Sequence, residues 1–127
     1  MKKLFILLFS LLISFNSYGE WNFVFTDDHG NDIYIDTDRI KEHGGYVYYW
    51  YMVDRLKPSE SGTVSFKFYV QGDCGINRYK HLTYLSYKES MGKGELNNTF
   101  TPDDEWGYPT PGTSGAAELD YVCDYVD

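Results

Sequence analysis

Two cysteines, three histidines, a cluster of carboxylates and an excess of aromatic rings are the residues of this 127-residue chain that could do chemistry. Cys74 and Cys123 stand alone, without further ligands at the short spacing that a metal site needs and without a matched base for a nucleophile. In an oxidising compartment they read as a disulfide pair. His29, His43 and His81 are too far apart to form a recognisable metal or haem motif, and exposed turn positions are the default expectation for them. Asp27, Asp28, Asn31 and Asp32 offer oxygen ligands on a tight loop, but they lack the alternating acids and distant Glu of a calcium loop, so a hairpin turn is the expected reading. Gly92-Lys93-Gly94 lacks the ordered Lys-Ser/Thr and following helix of a phosphate loop. No nucleophile, base and acid can be matched, nor do the carboxylates pair as an acid and a base. The chain therefore reads as a non-enzyme with no cofactor.

The remaining resource is rings. Aromatic residues make up 19% of the chain, with 13 tyrosines, which excludes an acidic disordered tail. The formal charge of -8, from 11 basic and 19 acidic side chains, argues against a nucleic-acid partner, because a phosphate backbone is held by clustered cations. At this length one domain is expected.

Lys2 and Lys3 precede an apolar run from Leu4 to Phe15, followed by the small residues Ser17 and Gly19. This pattern predicts a signal peptide over residues 1–19, with cleavage before Glu20. The run is too short to span a bilayer, which takes about 20 apolar residues. No cysteine lies at the cleavage point to carry a lipid, so the expected product, residues 20–127, is exported without a membrane anchor to the periplasm, the cell surface or the medium. Processing removes two lysines and no acids, leaving 9 basic against 19 acidic side chains. Such a field repels anionic membranes and polyanions.

The elements that position the rings are mostly strands. Trp21 to Thr26 alternates with strand period, Asp27 to Asp32 is a turn by composition, and Ile33 to Ile35 begins the return strand. Asp36 to Glu42 is expected to make one helical turn with Ile40 pointing inward, ended by Gly44 and Gly45. Tyr46 to Arg55 is apolar or aromatic on both faces, with Tyr46, Tyr48, Trp50 and Met52 on one and Val47, Tyr49, Tyr51 and Val53 on the other, so both faces must be covered. Val64 to Gln71 and Ile76 to Tyr87 read as two further strands, and Leu96 to Phe100 as a short last one. Thr101 to Gly112, with three prolines and Trp106, is expected to lie irregularly across the sheet. Ala116, Leu119, Val122 and Val126 fall at helical spacing behind a Thr113 or Ser114 cap, predicting a C-terminal helix over 113–126.

Trp21, Tyr34-Ile35-Asp36 before Ile40, Gly44-Gly45, Val47 through Trp50 and Val64-Ser65-Phe66-Lys67 form one ordered set with Cys74, Arg78-Tyr79, Met91-Gly92-Lys93-Gly94, Trp106, Pro111-Gly112 and Cys123. In this order the chain resembles the surface-adhesin protein E family of Gram-negative bacteria, most specifically in the two cysteines with the glycine turn between them. The resemblance implies an α+β fold, a curved antiparallel sheet of about six strands with a C-terminal helix held to its concave side by the disulfide. It also implies binding of host matrix or serum proteins at the cell surface, in some cases haem, and pairing as dimers. The expected function is an exported binding module for a protein partner or a second copy of itself. Tyr49, Tyr51 and Tyr69 are the candidate contacts, on faces the core does not need, with Arg78 and Lys80 as rim cations. The alternative is a small ligand, haem or a glycan, held in the concavity between sheet and helix against Trp50 and Trp106.

Overall fold

The computed structural model describes residues 21–127, so the expected signal peptide lies outside the described residues. Seven strands and one helix follow in order: β1 (Trp21–Thr26), β2 (Asp32–Asp36), β3 (Lys41–His43), β4 (Tyr46–Asp54), β5 (Ser65–Asp73), β6 (Arg78–Tyr87), β7 (Leu96–Phe100) and α1 (Ser114–Val126). The sheet is open and antiparallel, in the order β1-β2-β4-β5-β6-β7, with β3 also paired to β4.

β4 is the centre of the sheet, as its two apolar faces require. β5 pairs with it from Val47 to Asp54, leaving its other edge to β2 and β3 in tandem. β2 takes Tyr51 to Asp54 and β3 takes Tyr46 to Tyr48. This arrangement corrects the expected helical turn over Asp36 to Glu42. Only a 3₁₀ turn forms, Thr37–Arg39, and Lys41 and Glu42 are strand, because the N-terminal half of a nine-residue β4 would otherwise have unpaired backbone groups on that edge. Ile40 does turn inward, against the core. Gly44 and Gly45, both at positive φ, make the tight link from β3 to β4.

The core lies between one face of the sheet and α1. Ile33, Ile35, Val47, Tyr49, Tyr51 and Val70 of the sheet meet Leu119 and Val122 of the helix. Each of the two helix residues is 0% exposed and contributes about 1.5–3 kcal/mol of burial. The Thr113 hydroxyl caps the helix by accepting from the Ala116 N–H at 3.4 Å. The helix comes close enough to the sheet that a Cβ at Gly72 would sit 2.9 Å from Leu119 Cδ1 and 3.0 Å from Val47 Cγ1. Cys74, in the turn between β5 and β6, is bonded to Cys123 of α1, with a Cα–Cα distance of 5.8 Å. No helix among the described residues is long and apolar enough to cross a membrane.

Candidate functional site

Successive side chains on a strand point to opposite faces. The covering of one face by α1 therefore decides the role of every ring on β4. Val47, Tyr49 and Tyr51 go under the helix and Tyr46, Tyr48 and Trp50 go to the other face, where they remain half-buried.

On that second face the rings form a stacked row and a neighbouring pair. Trp50 stacks on its cross-strand partner Tyr69 at 4.9 Å between centroids, and Tyr69 stacks in turn on Tyr48 at 6.2 Å. Tyr46 packs at 5.5 Å against Trp106. Trp106 arrives from the segment after β7, which folds back so that Gly107 and Tyr79 exchange backbone hydrogen bonds of 2.9 and 2.7 Å at the start of β6. That docking brings Trp106 to two cations of β6. The Arg78 guanidinium carbon lies 3.9 Å and Lys80 Nζ 4.6 Å from the Trp106 ring centroid. Asp73 accepts from Arg78 Nε at 3.0 Å, and Lys80 Nζ meets Asp104 at 2.9 Å. Further along the same face Lys67 Nζ sits 4.8 Å from the Tyr87 ring and 5.7 Å from that of Trp21, and burial lowers its pKa.

The residues singled out in the sequence are thus divided between two faces. Tyr69, Arg78 and Lys80 lie together on the face opposite α1. Tyr49 and Tyr51 do not: at 1% and 8% exposure they are core, which corrects the expectation that they sit on a face left over from packing. The helix needs that face of β4, and burial raises both phenol pKa values. Trp50 and Trp106 are likewise misplaced by the sequence reading, since they line the outer face and not the space between sheet and helix. His81 is not in a turn but within β6, half-buried, where its Nε2 is 3.0 Å from the Tyr51 hydroxyl and desolvation lowers its pKa.

One residue escaped the sequence reading. Glu118 is 4% exposed under α1, and desolvation, helped by the charge of Asp27, pushes its pKa up to about 8. Its position four residues before Val122, hence on the apolar stripe of the helix, was the available signal. Among the described residues no group of three or more His, Cys, Asp or Glu is placed to hold a metal ion.

This architecture has counterparts. The structure of Haemophilus influenzae protein E superposes with a TM-score of 0.64 at 17% identity, covering 85% of this chain and 88% of that one. A second crystal form of that protein gives 0.61 at 17% identity over 87% and 94%. Protein E from non-typeable Haemophilus influenzae gives 0.59 at 17% identity over 87% and 81%. At such identities the likeness is one of fold. No curated protein matches the sequence. The profile of the surface-adhesin protein E family, however, matches residues 21–124, from the first residue of β1 nearly to the end of α1, and takes in both cysteines of the disulfide: the chain belongs to the surface-adhesin protein E family.

Proposed function

We propose that the chain is an exported, non-enzymatic, adhesin-like module that holds a protein partner on the sheet face opposite α1. The observation that carries this reading is the stacked row of Tyr48, Tyr69 and Trp50 beside the Tyr46–Trp106 pair. Rings locked against one another have already lost their rotamer freedom, so a partner that covers them gains apolar contact at low entropic cost. Arg78 and Lys80 sit at the edge of the row, partly neutralised by Asp73 and Asp104, and suit the polar rim of such an interface. Family membership supports the adhesin role and a place outside the cytoplasm.

The test is binding to a panel of immobilised extracellular-matrix and serum proteins, comparing the wild type with a Trp50→Ala/Tyr69→Ala double variant. Removal of two central anchors is expected to weaken binding by at least about tenfold, with the circular dichroism spectrum unchanged. Equal binding by the two proteins refutes the ring face as the contact. Failure of the wild type to bind any member of the panel refutes the adhesin role.

A further inference from the structure

Two adjoining cavities lie beside and beneath the first turns of α1, on the side of the sheet that the ring row does not use. The outer one, ≈ 500 Å³, is lined by Asp27 and Asp28 of the β1–β2 turn and by Asp120 of the helix. The inner one, ≈ 200 Å³, lies between helix and sheet and is lined by Glu118, Tyr51, Phe68, Tyr79 and His81. Asp27 and Ser114 line both, so the two form one recess leading inward from the surface.

The charge of this recess is of one sign. Its acidic side chains are Asp27, Asp28, Asp120 and Glu118, its one imidazole is His81, and among the described residues no Lys or Arg lines it. None of the four takes part in an ion pair among the described residues. Asp27 accepts from the N–H groups of His29 and Asn31, both at 2.9 Å, and from Asn31 Nδ2 at 3.2 Å, which closes the turn. Glu118, at 4% exposure, lines the inner chamber without a cationic partner among the described residues. A carboxyl that is buried, faces a cavity and has no cation beside it is a poor stability choice unless a positive charge fills that place. The walls of the inner chamber are aromatic, and ring faces attract organic cations.

We propose that this recess binds a small aliphatic amine, its ammonium seated at Glu118 and its methylene stem against Phe68, Tyr51 and Tyr79. A diamine of sufficient length would place its second ammonium among Asp27, Asp28 and Asp120 and bind more tightly than a monoamine.

Such binding is linked to pH through one group. Of the residues facing Glu118, Asp27 from the β1–β2 turn is ionised and His81 of β6 is held neutral above pH 7. Tyr49 and Tyr51 of β4 and Tyr79 of β6 stay protonated, their pKa values being raised. Glu118 alone exchanges a proton between pH 7 and 9. An amine that stays cationic over this range, as lysine does, must displace that proton, so its affinity rises about tenfold from pH 7 to pH 9.

Isothermal titration of the disulfide-bonded protein with 1,4-diaminobutane, n-butylamine and 1-butanol tests this, in two buffers of different ionisation enthalpy. The expected order is diamine, then monoamine, with no binding of the alcohol, and a proton released per amine bound at pH 7. Glu118→Gln should lose amine binding at both pH values. Asp28→Asn/Asp120→Asn, two exposed changes that leave the core untouched, should weaken the diamine and spare the monoamine. Binding of 1-butanol as tight as that of n-butylamine, an amine affinity that does not change with pH, or unchanged binding by Glu118→Gln overturns the proposal, as does absence of amine binding to the folded wild type at pH 9.

Discussion

Replacing Glu118 by Gln should stabilise the protein, and by an amount that grows with pH. Glu118 is 4% exposed and its pKa rises from 4.5 to about 8 on folding. A carboxyl with a higher pKa in the folded than in the unfolded state binds protons more tightly when folded. Its burial is therefore best tolerated below pH 4.5, and stability is lost as pH rises from 4.5 to about 8, levelling off above. At about 1.4 kcal/mol per unit, with the ends of the titration rounded off, the loss between pH 5 and 8 is about 3 kcal/mol. His81 acts in the opposite direction, its lowered pKa costing stability as pH falls below 6.5, so the wild-type profile alone mixes the two. The difference between wild type and Glu118→Gln removes His81 and every other shared group. Urea unfolding of both proteins at pH 5, 6, 7 and 8 gives that difference directly. The gap should open by about 3 kcal/mol, a separation of midpoints on the order of 2 M for a domain of this size. Parallel profiles, with a gap that changes by less than about 1 kcal/mol, would refute the assignment of Glu118 as a buried, uncompensated acid.

Loss of the disulfide in a Cys74→Ser/Cys123→Ser protein should lower stability by about 4 kcal/mol, from the entropy of the 49-residue closure, measured by urea unfolding with and without reductant. Gly72→Ala should cost about 1–3 kcal/mol, because its methyl meets Leu119 and Val47 at 2.9 and 3.0 Å, and a thermal melt within 1 °C of wild type would contradict that packing. Tyr51→Phe removes the hydroxyl 3.0 Å from His81 and is expected to cost about 1 kcal/mol, with the His81 ring resonances shifted in the NMR spectrum.

Most of the strands were legible because they are bounded by local chemistry. Trp21–Thr26 and Leu96–Phe100 were expected at the bounds they have, since alternation ends at Asp27 on one side and the Met91–Glu95 turn precedes the other. The helix was legible from its cap and its i, i+3, i+4 stripe. What local pattern cannot supply is which face of a two-sided strand the helix covers. Alternation grouped Tyr49 with Tyr51 and Trp50 with Tyr48 correctly, but the choice between these groups rests on contacts with α1 more than 60 residues away. Separation along the chain, here 28 and 26 residues, also hid the meeting of Trp106 with Arg78 and Lys80. β3 was missed for a related reason: Lys41-Glu42-His43 has no strand pattern of its own and is extended because the edge of β4 needs partners.

The order of the strands bears on how the molecule assembles. Along the path from β1 to β7 every strand pairs with one that precedes it directly, or with only β3 between, so each can join an edge that already exists as the chain emerges in sequence. The sheet needs no late strand inserted between early ones. α1 comes after all seven strands, and Cys123 within it, so the disulfide cannot close until every strand of the sheet has been delivered. The covalent link among the described residues thus involves the last element of the fold, and until Cys123 is oxidised the hold of α1 on the sheet rests on packing alone.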